Sequence, residues 1–337
     1  MAKPKVVVWR PMYDQIGHEL FSEAGAEVVV VDSTQPADVM AELHDARAIW
    51  VRTPERISAE MMDAAPELVV ISTSGFGTDN VDIAAATERG ILVVNNLGFG
   101  RKPVSEHTIM LMLALMNRLI WADRATRDGS AWSQRSNIDF LELEGRTVGL
   151  VGLGYIGSEL CRKLVAGFRC TVLAYDPHVD RRLPPAVGAQ MVGSLDDLLP
   201  RSSILCLCAE LNDATRNMIS ARELALLPEG AIVINTARGA LLDIDALAEA
   251  LEAGHVFGAG LDTTFPEPLP LSHPIHTHAN VILTPHVAGL TAETATAQTR
   301  FSVSQVMDVL KGGEPAFPVN PEAWQGPASR RPGAKPD

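Results

Sequence analysis

From Lys5 onward, short runs of valine, isoleucine and leucine alternate with longer stretches in which apolar positions recur every three or four residues. The short runs predict strands at Lys5 to Trp9, Glu27 to Val31, Ala46 to Val51, Leu68 to Thr73 and Ile91 to Val94. Between them the pattern predicts helices near Tyr13 to Ala24, Pro36 to Leu43 and Val81 to Arg89. Alternation of this kind, with short connections, builds a parallel α/β layer with helices against the sheet. The stretch Pro103 to Arg127 is helical and apolar on most sides, which suits burial against a second domain or subunit, and it reads as a hinge and dimer element. A second series of strands follows at Val148 to Val151, Thr171 to Tyr175, Ser203 to Cys208, Ala231 to Asn235, Gly258 to Leu261 and Val281 to Thr284, six in all. A last helix runs from Thr291 to Leu310, opening on an N-cap and capping box at Thr291-Ala292-Glu293 and stopping at Gly312-Gly313.

The run Val148-Gly149-Leu150-Val151-Gly152-Leu153-Gly154-Tyr155-Ile156-Gly157 is a strand, a glycine turn and a helix start, and the next strand delivers Asp176. Each glycine has a task. Gly152 lets the chain reverse tightly, Gly154 removes a side chain that would block a pyrophosphate, and Gly157 lets the helix pack close to the sheet. The pyrophosphate then rests on free N–H groups around Tyr155 and Ile156, where the helix dipole favours negative charge. This spacing predicts a dinucleotide-binding (Rossmann) domain. A carboxylate at Asp176 accepts from both ribose hydroxyls of NAD but opposes the extra phosphate of NADP. Two unit charges about 4 Å apart repel by roughly 4 kcal/mol at an effective dielectric near 20. NAD is the expected cofactor, although Arg181 and Arg182 could soften the discrimination if their loop folds back.

At 337 residues the chain suits two domains, and its net charge of −13, without a basic run, offers no footprint for nucleic acid or an anionic membrane. The longest apolar stretch, Ile109 to Met116, is far short of the roughly 20 residues a spanning helix needs. The first residues lack the apolar core of a signal peptide, so a cytoplasmic location is expected. Cys161, Cys170, Cys206 and Cys208 show neither a CxxC pair nor a histidine at ligand spacing; no metal is expected, and Cys206 and Cys208 read as fillers on one strand face.

Polar clusters sit at three predicted strand ends: Asn235-Thr236-Ala237-Arg238-Gly239, Leu261-Asp262-Thr263-Thr264-Phe265-Pro266-Glu267-Pro268, and Thr284-Pro285-His286-Val287-Ala288-Gly289. With the glycine turn and Ser72-Thr73-Ser74-Gly75-Phe76-Gly77-Thr78-Asp79-Asn80-Val81-Asp82, they resemble the NAD-dependent D-2-hydroxyacid dehydrogenase family. The resemblance runs from about Lys5 to Pro321, in the family's order and spacing. It implies a Rossmann domain (102–289) inserted in a flavodoxin-like parallel α/β substrate domain (1–101 and 290–322). A composition rich in Pro, Gly, Ser, Arg and Lys marks 323–337 as a flexible tail. The implied activity is hydride transfer between NAD(H) and a small 2-oxo or D-2-hydroxy acid, in a homodimer.

Hydride transfer to a 2-oxo acid leaves an oxyanion that needs a proton, so the site requires an acid that titrates near neutrality. His286 fits, since free histidine titrates near 6.5 and an adjacent carboxylate favours the charged imidazole. The resemblance assigns that carboxylate to Glu267. Arg238 presents a planar fork suited to a substrate carboxylate and its 2-oxo group. Gly75, Phe76 and Gly77 resemble the family's carboxylate-binding loop, with backbone N–H groups as donors and Phe76 narrowing the pocket. Asp262 corresponds to an acidic residue near the nicotinamide carboxamide. Cys208, Thr236 and Ala237, also at strand ends, complete the candidate cofactor-binding set.

Two stretches depart from the family pattern. Cys208-Ala209-Glu210-Leu211-Asn212 replaces a His-x-Pro-Leu-Thr run, and Glu210 brings another negative charge toward the phosphates. Leu97 to Glu106 lacks the usual Pro-Gly-x-Asn opening, which gives Arg101 and Lys102 a chance to reshape the substrate entrance. Arg52 stands where phosphoglycerate dehydrogenase-like members place an arginine that meets a second anionic group, and a plain surface arginine reads equally well. Hydroxypyruvate, glyoxylate and phosphohydroxypyruvate are the candidate substrates; formate is disfavoured, because formate-oxidising relatives carry an amide where Glu267 stands. Two alternatives use the same residues: an NAD(H)-sensing interaction protein of the corepressor type, and an NADP-preferring 2-oxo acid reductase.

Overall fold

β-Branched residues favour the pleated conformation, and strands covered on both faces read as continuous apolar runs. The structure, a computed structural model, describes residues 3–136 and 139–333. Within them the chain divides into two units, residues 1–100 with 290–337 and residues 101–289.

The first unit is built on β1 (Lys5–Trp9), β2 (Glu27–Val31), β3 (Ala46–Val51), β4 (Val70–Thr73) and β5 (Leu92–Val94), with α1 (Ile16–Glu23), α2 (Pro36–Met40), α3 (Ala59–Asp63) and α4 (Ile83–Glu88) between them. The strands pair in parallel in the order β2-β1-β3-β4-β5, the flavodoxin-like arrangement. Alternate residues fill opposite faces: Val7, Ile49, Ile71 and Val93 enter one apolar cluster, and Val6, Trp50, Val70 and Leu92 the other.

The second unit starts with α5 (Arg101–Met116), α6 (Leu119–Arg127) and α7 (Ala131–Gln134). Its sheet contains β6 (Thr147–Val151), β7 (Thr171–Tyr175), β8 (Ala189–Met191), β9 (Ile204–Leu207), β10 (Ala231–Asn235), β11 (Val256–Leu261) and β12 (Val281–Leu283). The helices are α8 (Tyr155–Phe168), α9 (Leu183–Val187), α10 (Leu195–Leu198), α11 (Ala221–Ala225) and α12 (Ile244–Glu252). All pairings are parallel, in the order β12-β11-β10-β9-β6-β7-β8. The direction of winding reverses between β6 and β9, the switch point at which open α/β sheets bind ligands beyond their strand ends. The first unit also contains α13 (Ala292–Leu310), whose Val303, Val306 and Met307 enter the cluster with Val6 and Trp50.

Several expectations need correction. The sheet has seven strands rather than six among the described residues; β8, Ala-Gln-Met, is only three residues long and mostly exposed, too short for a pattern to announce it. The helix expected from Pro103 to Arg127 breaks at Arg118, which takes a left-handed conformation with φ 44°, so two helices replace one. No capping box opens α13: Thr294, not a glutamate, occupies the third position, and its N–H donates to the Thr291 hydroxyl. The segment expected to be a flexible tail is bonded to the rest of the first unit through Arg330 and Arg331. Arg330 donates to the carbonyls of Ala65 and Leu68, Arg331 donates to Gly312, and the Arg330 N–H bonds the Gly90 carbonyl. Residues 334–337 lie outside the described residues.

Candidate active site

Gly152 closes the turn after β6 with φ +96°, and a side chain there would lie 2.8 Å from the backbone of Cys208 and Ala209. Only glycine fits both conditions. A Cβ on Gly157 would stand 2.4 Å from the Gly152 carbonyl oxygen, so its absence brings α8 down onto the turn. At Gly154, by contrast, a Cβ would meet nothing within 4 Å, and this residue is the N-cap of α8, where no side chain caps the helix. The result is a cradle of backbone N–H groups at a helix N-terminus, the donor set a pyrophosphate requires. Tyr155 is exposed and Ile156 half-buried along it. Asp176, just beyond β7, has its carboxylate fixed by two backbone donors, Leu153 N–H at 2.8 Å and His178 N–H at 2.9 Å. These residues fit a dinucleotide.

Arg182 is engaged with Asp180 at 2.7 Å, which ties it to its own turn. Cys208 follows β9, and burial pushes its thiol up to about 12; it packs against the apolar cluster that contains Cys206, so both act as neutral fillers. Glu210 is exposed, and its carbonyl accepts from the Thr215 hydroxyl in a turn that Asn212 closes.

The three polar clusters emerge from the carboxyl ends of β10, β11 and β12, which are neighbours in the sheet. After β10, Asn235 accepts from Ala237 N–H at 3.1 Å and donates to the Arg238 carbonyl at 2.8 Å, which sets the backbone of the arginine. Its Nη1 also donates to the Ala237 carbonyl at 2.8 Å. A Cβ on Gly239 would fall 2.0 Å from the Thr264 carbonyl carbon, so this glycine lets the β10 and β11 loops meet. Thr236 is buried, its hydroxyl 2.8 Å from that of Thr108 on α5.

His286 lies in the loop after β12 with φ 54°, a left-handed conformation that costs a non-glycine residue about 1–3 kcal/mol and persists only where surroundings enforce it. The surroundings do. His286 N–H donates to the Asp262 carbonyl at 2.8 Å, while the Asp262 carboxylate accepts from Val287 N–H and Ala288 N–H, each at 2.9 Å, and from the Thr284 hydroxyl at 2.5 Å. His286 Nδ1 stands 3.1 Å from Glu267 Oε2, with both side chains partly open to solvent. That contact fixes the ring so that Nδ1 faces the carboxylate, and Nε2 makes no bond among the described residues. An imidazole so held can exchange a proton at Nε2 while the carboxylate balances its charge.

Asp262, assigned from the sequence to the nicotinamide, has its carboxylate bonded to Thr284, Val287 and Ala288, which braces the His286 loop. His107, whose Nε2 stands 3.0 Å from the Thr284 hydroxyl, escaped the sequence reading, and Thr284 was read only as part of the polar cluster around His286, with no role of its own. A signal existed for His107: it lies four and eight residues before Leu111 and Leu115, on the core face of an apolar helix, where a polar group needs a partner.

In the first unit, the loop after β4 has its carbonyls bound from behind. Asn96 donates to Thr73 and Ser74 at 2.9 and 3.1 Å, Asn95 donates to Phe76 at 2.8 Å, and Gln298 of α13 donates to the Ser74 carbonyl. The N–H groups of Gly75, Phe76 and Gly77 are left without partners among the described residues. A Cβ on Gly75 would meet nothing within 4 Å, and the Phe76 ring is exposed. Arg52 lies over the Tyr13 ring, 5.4 Å from its centre, and Tyr13 packs edge-on against Trp50. Arg101 and Lys102 are exposed at the start of α5, where Lys163 bonds Ser105 and Glu106. Among the described residues, no group of three or more His, Cys, Asp or Glu could hold a metal ion, and no helix is long and apolar enough to cross a membrane.

Residues 109–288 match the family model for the NAD binding domain of D-isomer specific 2-hydroxyacid dehydrogenases. Over 331 residues the chain is 37% identical to a glyoxylate reductase of Thermofilum pendens, covering 96% of each. It is 33% identical over 308 residues to a D-3-phosphoglycerate dehydrogenase of Methanocaldococcus jannaschii, matching 91% of this chain but 58% of that longer enzyme. An NADPH-dependent glyoxylate/hydroxypyruvate reductase from Sinorhizobium meliloti, solved with NADP and malonate, superposes with a TM-score of 0.85 at 29% identity, over 95% of this chain and 98% of that one.

Proposed function

The chain belongs to the D-isomer specific 2-hydroxyacid dehydrogenases, oxidoreductases acting on small 2-oxo acids, and from that premise we propose that its site works through His286, Glu267 and Arg238 on a two- or three-carbon 2-oxo acid. Glyoxylate and hydroxypyruvate are the preferred substrates. NADH supplies the hydride. The cradle at Gly152, Gly154 and Gly157 holds its pyrophosphate on the N-terminus of α8, and Asp176 selects the unphosphorylated ribose. Arg238 grips the substrate carboxylate and polarises the 2-oxo group with charge-assisted bonds, about 1.5–3 kcal/mol each. The unpartnered N–H groups of residues 75–77 are further donors for a carboxylate. As the alkoxide develops, His286 delivers the proton from Nε2, and Glu267 at 3.1 Å keeps the ring oriented and offsets its charge. Asp262 serves the reaction through the loop it braces.

The observation that carries this reading is the Nδ1 to Glu267 contact on a strained loop, because it leaves one imidazole nitrogen available and fixes where it points. The test is NADH and NADPH oxidation against glyoxylate, hydroxypyruvate and phosphohydroxypyruvate, in the wild type, His286→Ala and Asp176→Ala. Loss of turnover by about a thousandfold in His286→Ala, with NADH affinity within a few fold, is the expected result. Full activity in that variant would overturn the assignment, as NADH-dependent partner capture without turnover would favour a sensor. An unchanged NADP to NAD preference in Asp176→Ala would mean that another residue selects the cofactor.

The protein is further assigned as a cytoplasmic homodimer. Leu119, Ile120, Trp132 and Phe140 are each at least half exposed, an apolar set of the kind that a subunit interface covers. Free cysteines suit a reducing compartment. A monomeric mass in analytical ultracentrifugation would refute the dimer.

A further inference from the structure

We infer that His107 is a positioning residue for the proton-transfer step, acting through Thr284 and Asp262 to hold the strained loop that carries His286. The inference rests on the reading of His286 as the proton donor.

The hydrogens can be assigned. Both Asp262 oxygens already accept backbone N–H groups, from Val287 and Ala288, so at the 2.5 Å contact the Thr284 hydroxyl is the donor. Its only hydrogen is then spent. At 3.0 Å from that oxygen, His107 Nε2 must be the donor, and the same nitrogen lies 3.7 Å from Asp262 Oδ1. His107 is thus the one side chain on α5 that donates into this network among the described residues, beside a carboxylate whose side chain is wholly buried.

The fold makes this reach possible. A Cβ on Gly260 would come within 3.0 Å of Leu111 Cβ, and one on Gly258 within 3.4 Å of Leu115 Cδ2. The residues pair in sequence along helix and strand: Leu115 with Gly258, Leu111 with Gly260, His107 with Asp262. Two glycines therefore let α5 lie against β11 closely enough for the imidazole one turn earlier to engage the strand-end carboxylate.

Glyoxylate turnover, NADH binding by fluorescence and thermal stability would be measured for His107→Leu, His107→Gln, Thr284→Val, the Leu/Val double variant and His286→Ala. A glutamine amide can place an N–H near Nε2, and valine replaces threonine without changing shape. Losses in kcat of about 10- to 100-fold are expected in His107→Leu and Thr284→Val, with KM and NADH affinity within about threefold and His107→Gln close to wild type. The double variant should lose no more than the worse single one, because both break one chain of bonds. Additive losses, or equal losses for glutamine and leucine, would overturn the inference. Should His107→Leu fail to fold, Thr284→Val and His107→Gln decide by the same readings. Turnover surviving in His286→Ala sinks the reading of His286 and this inference with it. An inactive His286→Ala beside His107→Leu at wild-type kcat sinks the inference alone.

Discussion

In the five-stranded sheet every strand position carries a side chain, and the core is filled by Val, Ile and Trp from both faces. The seven-stranded sheet instead has glycine at 149 in β6 and at 258 and 260 in β11, and each lets another element approach where a Cβ would stand. Ser202 packs onto Gly149; α5 packs onto Gly260. The first sheet gains its stability from the volume of its strands, whereas the second gives up strand volume to bring helices close. Helices held that near to strand ends can place side chains among the loops, as His107 and Thr108 show. The loop after β4 takes the other route: side-chain amides bind its carbonyls and leave its N–H groups outward. One unit therefore offers fixed side chains, and the other fixed backbone donors.

The contrast predicts opposite failures on mutation. Ile71 in β4 is fully buried, and Ile71→Ala leaves a cavity, with an expected loss of about 2–5 kcal/mol in denaturant unfolding. Gly260→Ala adds volume where Leu111 Cβ and Ile234 Cδ1 stand 3.0 Å away, with an expected cost of about 1–3 kcal/mol from displacing α5. Kcat should fall further in Gly260→Ala than in Ile71→Ala at a temperature where both are folded. Equal kcat values would show that the spacing of α5 does not matter to the chemistry.

The glycine turn sharpens the same distinction, because not every glycine there serves packing. Gly154 has open space around its missing Cβ, so Gly154→Val should fold with little change in melting temperature yet weaken NADH binding by about a hundredfold or more. Gly152→Ala, strained by its φ of +96° and by the Cys208 backbone, should instead lose stability. Calorimetry and cofactor titration separate the two.

How much of this was legible depends on how local each signal is. Strand runs and the glycine turn could be read directly, since the period and the spacing sit in consecutive residues. The pairing of His286 with Glu267 needed the family resemblance, because 19 residues separate them. The break at Arg118 carries no glycine or proline to announce it, and the three-residue β8 is stabilised by its neighbour β7 rather than by its own pattern. The anchoring of the chain near residue 330 depends on Arg330 reaching carbonyls more than 200 residues away, which composition cannot reveal. His107 was passed over for a related reason: its partners, Thr284 and Asp262, are remote in sequence and close only once α5 lies against β11.

On the backbone-donor side, Asn96 is the residue to remove. It is buried, donates to Thr73, Ser74 and the Ser302 hydroxyl, and accepts from that hydroxyl, so Asn96→Ala releases the back of the 73–77 loop. KM for glyoxylate should rise by about tenfold with NADH affinity unchanged. A fall in NADH affinity equal to the rise in KM would show that this loop serves the cofactor as well.

The smallest effect tests the second unit away from its site. Burial pushes the Glu223 carboxyl up, but bonds from Ser220 Oγ, Arg222 and the Ser220 N–H outweigh it and hold the group at about 2, against an ordinary 4.5. A carboxyl depressed on folding adds stability that is fully present above its unfolded value and is lost as pH falls through the folded one. The window is therefore about pH 4.5 down to 2. With Arg222 largely in solvent, screening reduces the contribution to about 1 kcal/mol. Glu223→Gln should lower stability by that amount at pH 7 and match the wild type near pH 2, read from unfolding curves across the range. A difference that stays constant with pH would assign the loss to packing at the start of α11 rather than to charge.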